Sequence, residues 1–293
     1  MSSASSQETI LLLGGTGKIS SRIARLLSSA NYSVLQASRS GVAEPLPHCQ
    51  GVKFDWFDPT TYENPFASSP ISAVFLVSPM ILDPFGPMKT FVDLAREKGV
   101  NRFVLLSASV IEVGDGPAQS TISKYISEIG VEYAILRPTW FMENFSEQQH
   151  LPTIRDASQI ITATGEGKVP FISADDIAAI AVHSLTDKTP HNTDHLIFGP
   201  ELFTFDEVTA LLTKKLKRQI THVKISQEQF EGMISQFGIP DDYAKMLAGL
   251  DTFIKEGREE RSSDAVKKVT GREPKTLETY LDECVARGVW DGK

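Results

Sequence analysis

Cysteine is almost absent from this chain: Cys49 and Cys284 are the only two among 293 residues. Two thiols so far apart give neither a disulfide framework nor metal spacing, and they fit a reducing, cytoplasmic compartment. None of the six histidines has zinc spacing with another ligand, so no metal is expected. Positive charge is in deficit: 29 Lys and Arg against 37 Asp and Glu leave a net charge of −8. That argues against non-specific nucleic-acid binding. No apolar run approaches the roughly 20 residues that span a bilayer, so no membrane partner is expected. Residues 1–8 are polar and Ser-rich, without the basic and apolar regions of a signal peptide, and read as a short disordered tail. A G-x-S-x-G elbow is missing, which removes the support for a serine hydrolase.

What is present is an alternation of short apolar runs and amphipathic stretches. Strands are predicted at 9–13, 33–37, 52–54, 73–77, 102–106 and 132–136. Helices are predicted at 19–30, where Ile19, Ile23, Leu26 and Leu27 have helical spacing, and at 87–98 and 117–129. Such alternation implies a doubly wound, mostly parallel Rossmann-type α/β sheet. Residues 9–150 are read as a dinucleotide-binding domain and 151–293 as a smaller α+β lobe covering the substrate, partly interleaved with the sheet. In the lobe, helices are predicted at 175–185, 204–216 with Thr204 as N-cap, 227–236, 241–255 and 275–287, and a strand at 195–198.

Ligands of such sheets sit beyond the carboxyl ends of the strands. After the first strand comes Gly14-Gly15-Thr16-Gly17-Lys18-Ile19-Ser20, which opens a helix. Gly14 suits the tight turn, and Gly17 lets a pyrophosphate approach the backbone and the first helical amides. The loop lacks the GK[ST] ending of a nucleoside-triphosphate P-loop. Ser20 replaces the usual third glycine, where close packing of helix on strand is the requirement. After the second strand the chain reads Ala37-Ser38-Arg39-Ser40. An acid there would select NAD by holding the ribose hydroxyls. Arg39 and Ser38, with Lys18 nearby, select NADP(H) instead by donating to a 2′-phosphate. Asp55 and Trp56, after the third strand, are candidates to flank the adenine; Asp55 could equally cap a turn. Ser78 and Pro79 after the fourth strand, Ser107, Ala108 and Ser109 after the fifth, and Pro138 after the sixth are expected to border the nicotinamide half.

GGTGK (14–18), SRS (38–40), RFVLLSAS (102–109) and LRPTWFMENF (136–145) together resemble the NmrA-like branch of the atypical short-chain dehydrogenases. Within that branch the likeness extends over nearly the whole chain to the fungal ergot-alkaloid enzymes of the festuclavine and agroclavine dehydrogenase type. The resemblance implies NADPH-dependent reduction of a cyclic iminium derived from chanoclavine-I aldehyde to a tetracyclic clavine. The implied partner is a small indole alkaloid, with functional coupling to an upstream flavin reductase or to glutathione.

Short-chain dehydrogenases generally place Tyr four residues before Lys on the helix after the fifth strand. Here the lysine is Lys124, and Ser120 stands at the tyrosine position. A serine is a poor acid near neutral pH. Reduction of an iminium carbon, unlike that of a ketone, yields a neutral amine and needs no proton donor. Lys124 therefore either bridges the nicotinamide ribose or points to water. Trp140, Phe141, Asn144 and Phe145 are candidates for the substrate pocket, their rings offering flat apolar area and cation–π attraction to an iminium; Phe141 and Phe145 also have the spacing of core residues. Two other functions remain open on this frame: a non-catalytic NADP-binding redox sensor, and a quinone or aldehyde reductase.

Overall fold

A computed structural model of the protein describes residues 8–147, 149–236 and 241–292. The expected tail, residues 1–8, lies outside them except for Glu8. The chain forms two compact units. The first runs up to Arg137 and includes Ile177–His195; the second comprises Pro138–Asp176 and the chain from Leu196 onward.

The first unit is built on a seven-stranded sheet. Its strands are β1 (Thr9–Leu13), β2 (Ser33–Ser38), β3 (Cys49–Lys53), β4 (Ile71–Val77), β5 (Arg102–Leu106), β6 (Glu132–Pro138) and, later in the chain, β8 (Thr193–Ile197). The order is β3-β2-β1-β4-β5-β6-β8, and every pair from β3 to β6 is parallel. The order therefore reverses between β1 and β4. β1 is buried along its whole length, as expected of a strand covered on both faces. Helix α1 (Lys18–Ser29) packs on β1 and β2 through Ile19, Ile23 and Leu27. Leu26, expected on that face, is 43% exposed; the 100° step per residue carries it past the contact edge. Helices α2 (Phe85–Glu97) and α3 (Ser120–Glu128) share one core with alternate strand residues: Phe91 and Val92 from α2 and Ile122 and Ile126 from α3 meet Leu11, Leu13, Val74 and Leu76.

The second unit holds a parallel pair of short strands, β7 (Gln159–Thr162) and β9 (Thr221–Lys224), neither predicted. Around them stand α5 (Phe205–Leu216), α6 (Gln227–Ser235), α7 (Asp241–Lys255), α8 (Ala265–Thr270) and α9 (Leu277–Ala286). Thr204 caps α5 in a full capping box: its Oγ1 accepts from Glu207 N at 3.1 Å, and Glu207 Oε2 accepts from Thr204 N at 2.8 Å. Helix α4 (Ala174–Thr186) begins in this unit and continues into the first, with Ile177, Ala178, Ile180 and Ala181 fully buried. No helix of the described residues is long and apolar enough to cross a membrane.

Asp251, on α7, is 6% exposed and accepts one bond, from Ala163 N at 2.8 Å. Burial pushes its carboxyl up from 3.8 to about 6. The folded state therefore holds this proton more tightly than the unfolded chain, and the native state loses stability as pH rises through that window. Asp251→Asn keeps an acceptor for Ala163 N and removes the buried charge. The variant should gain on the order of 2 kcal/mol at about pH 8 and almost nothing at about pH 4. Urea unfolding at both pH values measures this; an equal change at both would contradict it.

Candidate active site

The glycine loop sits where the strand order reverses. Gly14 adopts φ 59°, a left-handed conformation that favours glycine, and a Cβ on it would face the Val77 side chain at 3.5 Å. Gly15 N donates to Ala37 O at 2.8 Å, and Gly17 N to Gly14 O at 2.7 Å. Gly17 is the N-cap of α1, no side chain caps that end, and the first turn holds no acid. Thr16 and Gly17 are exposed and Lys18 is half-buried. Amides at this helix start fit a diphosphate. The Ile19 side chain belongs to the core, so only its backbone can serve the loop. Ser20 is buried and its Oγ donates to Leu13 O at 2.8 Å, pinning helix to strand in place of a third glycine.

Gln36 was missed by sequence reasoning. Fully buried, its Nε2 donates to Gly15 O at 2.9 Å and its Oε1 accepts from Glu44 N at 2.9 Å. One amide thus ties the glycine loop to the segment after β2. The available signal was a polar residue inside an otherwise apolar strand.

Beyond β2, Ser38 Oγ lies 3.2 Å from Ser40 Oγ and donates to Val42 O at 3.3 Å. Arg39 is exposed, with no hydrogen bond or ion pair among the described residues, which leaves its guanidinium available to an anion. Beyond β3, Asp55 Oδ1 accepts from Phe57 N at 3.0 Å and so forms a turn. Trp56 Nε1 donates to Val77 O at 3.0 Å, and its ring meets Phe54, Tyr62 and Phe91 edge-on. The indole thus helps close the core below the strand ends.

β4 and β5 end in register, Val77 beside Leu106, so Ser78 and Ser107 follow on adjacent strands. Pro79, Ser107 and Ser109 are buried and Ala108 half-buried. Ser109 O accepts from Arg137 NH2 at 3.1 Å. On α3, Ser120 is 3% exposed, its Oγ turned toward Gly116, where a Cβ would lie 2.9 Å from it. Lys124 Nζ pairs with exposed Asp115 at 2.7 Å, which raises the lysine pKa. Tyr125 donates its hydroxyl to Asp93, and burial together with that carboxylate pushes the phenol up.

In the second unit, the 138–145 segment is fixed by backbone pairing. Ile172 N donates to Trp140 O at 3.0 Å, and Met142 N to Ile172 O at 2.9 Å. Pro138 is buried; Trp140, Phe141 and Asn144 are half-buried. Phe145 is fully buried, stacked on His150 and edge-on to Phe171 and Phe205. Its expected place against a substrate is corrected accordingly: it is core. Glu143, fully buried, accepts from Ala174 N at 2.8 Å and so caps α4.

Residues 6–281 match the NmrA-like family. The chain is 43% identical over 282 residues to festuclavine synthase I of Penicillium roqueforti, covering 94% of this chain and 97% of that one. It is 42% identical over 289 residues to agroclavine dehydrogenase of Claviceps fusiformis, covering 96% and 98%. Among solved structures, the NADPH complex of an NADPH-dependent quinone oxidoreductase of Escherichia coli shares the fold at 21% identity and TM-score 0.76, covering 94% of this chain and 99% of that one. By sequence, by family match and by the sheet described above, this chain belongs to the NmrA-like family.

Proposed function

We propose that this protein is an NADP(H)-dependent reductase that adds hydride to the iminium carbon of a cyclic derivative of chanoclavine-I aldehyde, giving a clavine of the festuclavine or agroclavine type. The observation that carries this reading is helix α3, where buried Ser120 stands at the tyrosine position and its neighbours Lys124 and Tyr125 are paired to Asp115 and Asp93. A reductase without a proton donor suits a substrate that becomes neutral when it accepts hydride. The names of relatives near 43% identity, festuclavine synthase and agroclavine dehydrogenase, support the same substrate class.

The glycine loop fits a dinucleotide: it has an open backbone at a helix start, and a Cβ on Gly17 would come within 3.0 Å of Gly14 O. Thr16 to Ile19 would hold the diphosphate, and Ser38 and Arg39 the 2′-phosphate. When bound, the nicotinamide supplies the hydride. The chain's task is orientation, worth up to about 7–11 kcal/mol in well-aligned cases. Binding the substrate cation too strongly would stabilise the ground state and slow the step. Trp140 and Phe141 are proposed to offer ring faces to the indole system.

The test is to incubate the protein with NADPH and chanoclavine-I aldehyde, with a thiol or a flavin reductase present. Oxidation of NADPH with formation of a clavine supports the reading. Turnover confined to quinones or aldehydes would replace the substrate class. Cofactor binding with no turnover on any imine, aldehyde or quinone would make the protein a sensor. Separately, Arg39→Ala should weaken NADPH binding by about tenfold or more, the value of one charged hydrogen bond, and leave NADH binding nearly unchanged. Calorimetry with both cofactors decides this, and equal losses for the two would contradict the assignment of Arg39.

A further inference from the structure

Two serines follow the ends of the paired strands β4 and β5, and a glutamine side chain is bonded to one of them. Ser78 and Ser107 follow the register pair Val77 and Leu106, one and two strands over from Gly14. Gln119, the residue before α3, donates from Nε2 to Ser78 Oγ at 2.6 Å. Its backbone is anchored too, since Gln119 O accepts from Ser123 N at 2.9 Å and Ser123 Oγ at 2.6 Å. Two atoms of the trio are left over. Ser107 Oγ and Gln119 Oε1 are both buried, and neither has a hydrogen-bond partner among the described residues. Ser107 is only 9% exposed as a residue. Buried polar atoms are nearly always paired, and the exceptions call for a specific explanation.

We propose that Ser78, Ser107 and Gln119 form a seat for a primary carboxamide, and that its occupant is the carboxamide of the nicotinamide ring. The proposal rests on the dinucleotide reading given above. It follows from the chemistry of the leftover atoms. A primary carboxamide carries a carbonyl acceptor and N–H donors on adjacent arms. The Gln119 side chain is the same group, so the two pair head to tail. Whichever way the Gln119 amide is turned, the ligand's amide can rotate to match it. The Ser107 hydroxyl both donates and accepts, and meets the remaining arm. A carboxylate has no donor to offer, and a methyl ketone has only the acceptor. The seat lies beyond β4 and β5, on the opposite side of the strand-order reversal from Ser38 and Arg39. That is the side the nicotinamide reaches when the 2′-phosphate is held beyond β2. Fixing the carboxamide also fixes rotation of the ring about its bond to ribose, so this trio would choose which ring face is presented for hydride transfer.

The test uses the full chain and three ligands: NADPH, 2′-phospho-ADP-ribose, which lacks the nicotinamide, and the 3-acetylpyridine analogue of NADPH, which replaces the amide by a methyl ketone. Gln119→Leu and Ser107→Ala should each weaken NADPH binding by about tenfold and leave 2′-phospho-ADP-ribose unchanged. The wild-type protein should prefer NADPH over the acetylpyridine analogue, and Gln119→Leu should erase that preference, as coupled groups do. Ser107→Ala removes one oxygen and serves as the milder variant if Gln119→Leu folds poorly, which thermal unfolding reports. Equal weakening of all ligands, no weakening of any, or a preference that survives Gln119→Leu would overturn the seat. Failure of the wild-type protein to bind even 2′-phospho-ADP-ribose would instead overturn the dinucleotide reading, and the seat with it.

Discussion

Gly15→Ala should reduce NADPH affinity on the order of a hundredfold, the loss of about two charge-assisted hydrogen bonds from loop amides to phosphate. The reason is steric and lies in the second strand. A Cβ on Gly15 would stand 2.9 Å from Gln36 Cβ and 3.0 Å from both Ala37 N and Gln36 C. Those last two are backbone atoms of β2, a strand paired with β1 on one side and β3 on the other, and they cannot rotate away. The loop must yield instead. Doing so strains the Gly15 N bond to Ala37 O and the Gln36 bond to Gly15 O, the two that aim the loop. Overpacking of this kind also costs about 1–3 kcal/mol of stability. Calorimetric titration with NADPH, together with urea unfolding, separates the two effects. Retained affinity in a destabilised protein would show that the loop tolerates displacement and does not position the phosphates. Gly17→Ala is a useful companion, because its Cβ would press only on Gly14 O at 3.0 Å, within the loop itself.

The parts of this molecule that could be read in the sequence are those set by local pattern. Apolar runs marked β1, β4, β5 and β6, the glycines marked the turn at Gly14, and Thr204 marked the N-cap of α5. The parts that could not be read depend on partners far along the chain. Gln36 and Gln119 look like ordinary polar residues until Gly15 and Ser78 are placed beside them, 21 and 41 positions away. β7 and β9 are four residues each and pair only with one another, too short for alternation to show. Phe145 and Phe141 have the same aromatic chemistry and stand four residues apart in one motif, yet Phe145 is sealed by Phe171 and Phe205 while Phe141 keeps an accessible surface. The chain divides into its two compact units at Arg137, with Ile177–His195 in the first. α4 is apolar on most of its surface, and periodicity cannot tell which unit such a helix will serve.

Arg137→Ala should cost about 2 kcal/mol of stability, the packing of a buried side chain and its charged hydrogen bond to Ser109 O. The Arg137 side chain is 4% exposed and makes three connections within the first unit: NH1 to Asp194 at 2.6 Å, NH2 to Glu112 at 2.5 Å, and NH2 to Ser109 O at 3.1 Å. It therefore ties the loop after β5 and the strand β8 to the end of β6. Asp194 and Glu112 are 37% and 74% exposed at their side chains, so water can take over their charges when the arginine is gone. The loss comes mainly from the cavity and from the support withdrawn from Ser109, which is 1% exposed. Arg137→Lys keeps the charge but not the planar fork that reaches three acceptors, and should fall between wild type and alanine. Because Ser107 and Ser109 lie at the carboxyl edge of the sheet, Arg137→Ala should also weaken NADPH binding while leaving 2′-phospho-ADP-ribose binding close to wild type. Urea unfolding of the three proteins and titration with both ligands test the two statements separately. A midpoint for Arg137→Ala that matches wild type would mean the buried guanidinium contributes no net stability, as some buried ion pairs do not, and a normal NADPH affinity in a destabilised variant would detach the β5 loop from the cofactor site.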